Sequence, residues 1–203
     1  MMKQLNACPL LALLLLLLSA CQQPTPREQY LAYLQDPAHG LRQHHRGQWF
    51  AYRMQVLTPE SQALMAMPAV NENPARLAAL LPQYEQSQSF LLALEPLTPG
   101  KSIEEVLKES LGEERGSLLH QNLQYGLEPY FKLIQGLDTL PCTLYQAQAP
   151  IFKGDALQMN LVFPKIRPNE DCQLYCAIPE FPEVFPGFHI RQTDLRNIPN
   201  LKR

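Results

Sequence analysis

The clearest alternation of apolar and polar residues in the chain is Leu157-Gln158-Met159-Asn160-Leu161-Val162-Phe163. Its apolar side chains recur at every second position, which predicts a β-strand with one buried and one exposed face. Three further strands are expected nearby, over residues 142–147, 172–178 and 187–192. Because strands joined by short, turn-rich connections pair antiparallel, the C-terminal half is predicted to form an antiparallel, meander-like sheet.

Helices are predicted mainly in the N-terminal half. Four helix starts are marked by a capping residue followed by proline or glutamate: Thr25-Pro26-Arg27-Glu28, Thr58-Pro59, Asn73-Pro74 and Ser102-Ile103-Glu104-Glu105. The second and third of these helices are expected to end at Pro68 and Pro82. Residues 50–56 and 90–94 are expected to be strands. The sequence therefore predicts an α+β fold, with residues 25–203 forming a single globular domain.

The segment before residue 25 has the pattern of a removed leader. Residues 10–18 are nine consecutive apolar residues, whereas a membrane-spanning helix needs about 20. Lys3 precedes this run and small residues follow it, as in a signal peptide. Leu18-Ser19-Ala20-Cys21 resembles the lipobox of bacterial lipoproteins. The resemblance implies that residues 1–20 are removed and that Cys21 carries acyl chains such as palmitate, which leaves residues 21–24 as a short tether.

The short tether and the residues after Cys21 bear on where the protein would sit. Four residues reach at most about 14 Å, so the domain is expected to lie against the membrane surface. No aspartate follows Cys21 directly. By resemblance to bacterial sorting rules, this implies a lipid-anchored protein of the cell envelope, at the outer membrane and facing the periplasm.

The overall charge limits the classes of partner. The chain has 17 basic and 19 acidic residues and a formal net charge of −2. This near balance argues against nucleic acid as a partner and gives no reason to expect attraction to anionic lipid headgroups. The membrane contact expected from the sequence is therefore the lipid alone.

Three cysteines follow Cys21 in the chain. Cys172 and Cys176 are four residues apart in a predicted strand. A strand would hold them about 13 Å apart, which is too far for a disulfide between them. Two alternatives remain: a disulfide of Cys142 with Cys172 or Cys176, or three buried free thiols.

Motifs for catalysis or for binding a metal or cofactor are not found in the sequence. It contains no GxSxG, HExxH, Walker or GxGxxG pattern. His39, His44 and His45 are expected in an exposed turn between a helix and a strand. His120 has no identifiable partner, and His189 is expected on the outer face of a strand. We therefore expect no metal, no cofactor and no catalytic residue, with one alternative: a hydrolase site built from His44, His45 or His189 and a distant carboxylate.

One segment has the composition of a contact surface. Residues 178–187 contain four prolines together with Phe181, Val184 and Phe185. Prolines prevent regular strand pairing, so these apolar side chains must either fold back onto the core or form an exposed patch. If exposed, the three residues are predicted to bind an envelope protein partner.

A family resemblance supports the predicted location. The lipobox, residues 33–41, the strand Leu161-Val162-Phe163-Pro164 and the tail over residues 194–202 resemble a group of Bacteroidetes lipoproteins. That group has no assigned activity, so the resemblance implies an envelope location and nothing about chemistry. The sequence thus favours a non-catalytic accessory or binding protein. The alternatives are the hydrolase and a small carrier of hydrophobic ligands, which would need a deep apolar cavity beneath the sheet.

Overall fold

The computed structural model describes residues 25–67, 73–148, 150 and 154–201. The predicted leader, Cys21 and the tether lie outside the described residues. The described residues form six helices: α1 Arg27–Gln35, α2 Pro59–Met65, α3 Pro74–Tyr84, α4 Ile103–Leu111, α5 Glu113–Gln124 and α6 Gln192–Arg196. They also form nine strands: β1 Arg42–Arg46, β2 Phe50–Leu57, β3 Ser87–Pro96, β4 Phe131–Gln135, β5 Asp138–Pro141, β6 Leu144–Gln148, β7 Leu157–Pro164, β8 Cys172–Cys176 and β9 Phe188–Ile190.

The predicted α+β class is confirmed, and the strands divide between two antiparallel sheets. The first sheet has the order β1-β2-β3-β7-β6, and the second has the order β5-β4-β8-β9. β7, the strand predicted most clearly, pairs on one side with β3 and on the other with β6. Of the four C-terminal strands, β6 and β7 therefore join one sheet, whereas β8 and β9 join the other.

The core lies between the inner faces of the two sheets. Phe131 of β4 stacks on Tyr145 of β6, with ring centroids 5.8 Å apart. At the edge of the two sheets, His45 of β1 contacts Phe188 of β9 at 5.2 Å. Gln43 Nε2 donates a hydrogen bond to the carbonyl oxygen of His189 at the same edge. The two sheets therefore contact each other through aromatic side chains of their inner faces and through side chains at their edge.

Three of the four predicted helix starts are confirmed. Ser102 and Glu105 form a reciprocal capping box, in which the Ser102 backbone N–H donates to Glu105 Oε2 at 2.7 Å. Thr58 and Asn73 cap α2 and α3 through their side-chain oxygens. The predicted box at residues 25–28 is wrong, because α1 begins at Arg27 without a side-chain cap. Thr25 instead pairs with the C-terminal segment, where its N–H donates to the Asn200 carbonyl oxygen at 2.7 Å.

Other element boundaries differ from the prediction. The histidine-rich segment predicted as a turn forms β1, since its backbone pairs with all of residues 51–55 of β2. α3 extends two residues past Pro82, because a proline near the end of a helix removes only one of its hydrogen bonds. α5 was not predicted from the sequence.

No helix of the described residues is long and apolar enough to cross a membrane.

Candidate partner-binding groove

The predicted partner-binding segment, residues 178–187, folds back onto the core. Phe185 is 4% exposed and contacts Tyr52, with ring centroids 4.7 Å apart. Phe181 is half-buried and contacts Phe50 and Phe185. Of the two alternatives for these phenylalanines, folding back onto the core is the one found, and the partner-binding patch predicted if they were exposed is corrected, because the inner face of the first sheet covers their rings. Val184, at 91% exposure, is the one residue of the predicted three that points into solvent.

Glu183 anchors this segment to the turn between β1 and β2. Its carboxylate accepts hydrogen bonds from the backbone N–H groups of Gln48, Trp49 and Phe50, the last two at 3.1 Å. It also accepts one from the Tyr52 hydroxyl at 2.6 Å. Burial raises the pKa of Tyr52, and the hydrogen bond to Glu183 adds to the rise. This role of Glu183 was not predicted from the sequence, although an acidic residue inside an apolar, proline-rich segment was a signal for it.

Beside this anchored segment lies a groove of about 340 Å³. One wall comes from α5 and from the residues that follow it up to Tyr130, and the other comes from the start of the 178–187 segment. We call it the α5 groove, and its lining residues are Arg115, Leu118, Leu119, Asn122, Tyr125, Gly126, Leu127, Tyr130, Ile178, Pro179 and Glu180.

Two large apolar side chains at the α5 groove are exposed. Leu118 is 57% and Tyr125 is 73% exposed, whereas Leu119 and Leu127 are buried and form apolar lining. Leu118 and Asn122 are four residues apart in α5, which places them on one side of the helix, and Tyr125 follows the helix directly in an extended conformation. This spacing was the sequence signal for the groove, but it is visible only once residues 113–124 are recognised as a helix.

A strained residue closes one rim of the α5 groove. Glu180 has a backbone φ of 62°, and it is the only non-glycine residue with positive φ in the described part of the chain. Residues other than glycine rarely adopt this conformation, and strain of this kind is concentrated at functional sites. The Glu180 carboxylate pairs with Arg115 of α5, with Oε2 3.2 Å from Nη2. The pair is more than half exposed on both sides, so solvent screens it and a charged partner group can reach it.

The predicted histidine sites do not assemble into a catalytic pair in the described residues. His44 and His45 are adjacent in β1 and therefore point to opposite faces of the sheet. His189 lies exposed on β9. His120 approaches a carboxylate, with Nδ1 3.7 Å from Glu104 Oε2, but the Glu104 carboxylate also pairs with Lys108. Within the described ranges, no three His, Cys, Asp or Glu residues are grouped so that they could hold a metal.

The three cysteines after Cys21 are free, buried thiols. The expected disulfide of Cys142 with Cys172 or Cys176 is therefore corrected. Cys142 directly follows β5, and β4 lies between β5 and β8. Two strand spacings separate the cysteines by about 9–10 Å, beyond disulfide range. Burial raises the pKa values of Cys172 and Cys176 to about 12, which keeps both thiols protonated and unreactive at neutral pH.

Comparisons with protein-family models, with curated proteins and with solved structures find no match to the chain.

Proposed function

We propose that the protein is a lipid-anchored, non-catalytic protein of the bacterial cell envelope that binds a partner protein in the α5 groove. The lipobox-like Leu18-Ser19-Ala20-Cys21, preceded by the apolar residues 10–18, supports the anchor and the envelope location. The resemblance to Bacteroidetes lipoproteins supports the same location, with the domain facing the periplasm.

The observation that carries the binding role is the exposure of Leu118 and Tyr125 beside an apolar groove. Tyrosine and arginine dominate the binding energy of protein interfaces, and both types occur here as Tyr125 and Arg115. A volume of about 340 Å³ is close to the lower end of the range for ligand pockets, about 300–1,000 Å³. The occupant we propose is therefore a short segment of a partner protein that inserts one large apolar side chain.

The rim ion pair suggests how the partner segment would be oriented. Arg115 and Glu180 lie at one rim of the groove and are both accessible to solvent. A carboxylate of the partner near the inserted side chain can bind Arg115 in place of Glu180. We therefore expect the partner segment to combine a large apolar residue with a neighbouring acidic residue.

Site-specific photo-cross-linking in cells tests this proposal. A photoreactive amino acid replaces Tyr125 in the full chain, and the matched control places the same amino acid at position 137. Leu137 lies just after β4, is fully exposed, and does not line the groove. We expect one cross-linked protein from position 125, none of that species from position 137, and loss of the cross-link in a Leu118→Glu background.

The opposite pattern would contradict the groove. If positions 125 and 137 give the same products, or if Leu118→Glu leaves the product from position 125 unchanged in a folded protein, the α5 groove is not the binding site. The fold of each variant is checked by its urea unfolding transition, so that a lost cross-link is not the result of unfolding.

A further inference from the structure

The outer face of the first sheet gathers basic residues at the end formed by β1 and β2. Arg42, His44 and Arg46 alternate along β1, so their side chains share one face. Arg53 of β2 lies opposite His44 and therefore belongs to the same face. The residues of β2 that alternate with Arg53, such as Tyr52, point to the opposite face of the sheet and are buried in the core. We call Arg42, His44, Arg46 and Arg53 the basic face.

Little negative charge offsets the basic face. Among the outward-facing residues of the five strands, Glu95 is the only carboxylate within the described part of the chain, and it pairs with Arg53 at 3.0 Å. Arg42 and Arg46 form no salt bridge with any described residue. The other polar residues at outward strand positions carry no charge: Gln55, Ser87, Ser89, Gln146, Gln148, Gln158 and Asn160.

A shallow concavity of about 180 Å³ lies between two of the arginines. Its lining residues are Arg42, Arg53, Met54, Gln55, Leu91, Ala93 and Gln158, none of them acidic. The small side chain of Ala93 sits opposite Arg53 and next to Gln158 in the strand pairing. Two guanidinium groups and two amides around one depression are suited to a phosphate, because arginine donates to phosphate oxygens in pairs.

We propose that the basic face docks onto an anionic lipid bilayer and binds headgroup phosphates between Arg42 and Arg53. A positively charged sheet face with uncompensated arginines complements such a surface. Nucleic acid is the less suitable occupant, because four basic residues fall short of the roughly 6–10 phosphate contacts of a strong DNA-binding protein. Among the described residues, the strand positions on this face also carry no phenylalanine, tyrosine or tryptophan for base stacking. The proposal is separate from the α5 groove and does not depend on lipidation of Cys21.

Trp49, the single tryptophan of the chain, provides the measurement. It lies three residues after Arg46, within about 11 Å along the backbone. Energy transfer from Trp49 to a dansyl-labelled headgroup reports how closely the face approaches the bilayer. The full chain is compared on vesicles of phosphatidylcholine alone and of phosphatidylcholine mixed equally with phosphatidylglycerol.

We expect greater transfer on the anionic vesicles at low salt, and loss of the difference in about 1 M sodium chloride, where the Debye length is about 3 Å. Each arginine near an anionic surface contributes a factor of about five to the docking equilibrium. Arg42→Gln combined with Arg46→Gln is therefore expected to lower that equilibrium constant about 25-fold. The matched control, Arg76→Gln with Lys165→Gln, removes two exposed basic residues outside this face and is expected to retain docking.

Three results would overturn the proposal. The first is equal transfer on both kinds of vesicle at low salt. The second is an equal loss of docking in the control variant, which would indicate attraction by overall charge. The third is displacement by a duplex oligonucleotide at an ionic strength where sodium chloride has no effect, because that would identify an occupant other than the bilayer.

Discussion

At the scale of single residues, Glu183 fixes the 178–187 segment to the turn between β1 and β2. Its carboxylate binds three consecutive backbone N–H groups and the Tyr52 hydroxyl. Gly47 makes room for this arrangement, since a Cβ there would collide with the Glu183 carboxylate. The segment that forms one wall of the α5 groove is therefore held in place by a charged group that faces the turn between β1 and β2.

Glu183→Gln is expected to destabilise the protein by about 3 kcal/mol. The neutral amide has one acceptor oxygen, and its NH₂ group would face backbone donors that need acceptors, so charged hydrogen bonds are lost and donors are left unpaired. Urea unfolding measures the change, with Glu180→Gln as the control in the same segment. Because Glu180 forms only an exposed ion pair, its substitution is expected to cost less than about 1 kcal/mol. Equal effects of the two substitutions would contradict the anchoring role.

The contacts of single residues were the part of the site that the sequence predicted least well. The composition of residues 178–187 indicated that Phe181 and Phe185 must be buried or bind a partner, and the structure buries them because the inner face of β2 lies beneath. Glu183 escaped prediction because its partners lie more than 130 positions away in the chain. Contacts over such separations depend on the tertiary fold and leave no local pattern.

At the scale of elements, the pair α4 and α5 depends on a close helix contact. Gly116 of α5 faces the backbone of Lys108 of α4, and a Cβ at this position would lie 2.5 Å from the Lys108 Cα atom. Glycine at this position thus allows the helices to approach more closely than any other residue would. α5 in turn supplies Arg115, Leu118 and Asn122 to the groove, so the contact sets one wall of the site.

Gly116→Ala is expected to destabilise the protein by about 2 kcal/mol, because the extra methyl group forces the two helices apart. Helix propensity alone predicts the opposite sign, a gain of up to about 1 kcal/mol. The sign of the change in unfolding free energy therefore decides between the two effects. Ser117→Ala, next to it in α5, is the control and is expected to have little effect. Stabilisation by Gly116→Ala would show that the helices do not make this close contact.

The strand with the clearest apolar period was predicted well, whereas the polar β1 and the short β4 and β5 were not predicted. β7 alternates strictly and lies where the pattern placed it. β1 consists of Arg42, Gln43, His44, His45 and Arg46, which has no apolar alternation and so resembled an exposed turn. Pairing with β2 makes it a strand. For the same reason the basic face was not predicted, since its residues share a face only when β1 is extended.

At the scale of the whole molecule, the two sheets explain how a chain of net charge −2 can present a positive surface. Outward positions of β1 and β2 concentrate four basic residues, whereas most carboxylates lie elsewhere in the chain. Overall charge is thus a poor guide to local attraction. The sequence predicted the α+β class but not the division into two sheets, because strand partners distant in the chain are chosen by packing and not by local pattern.

At this scale, we propose that the chain is anchored by lipid at Cys21. Two acyl chains hold a protein stably at a bilayer, whereas one gives only marginal binding. An anchored domain with a binding groove would hold its partner at the membrane.

Metabolic labelling with radioactive palmitate tests the anchor most directly. The full chain is expressed in a bacterium that processes lipoproteins, next to Cys21→Ala and the matched control Cys8→Ala, which alters a cysteine inside the predicted leader. We predict that the unaltered chain and Cys8→Ala carry the label and that Cys21→Ala does not. Label retained in Cys21→Ala, or absent from the unaltered chain while a known lipoprotein in the same cells is labelled, would contradict the account.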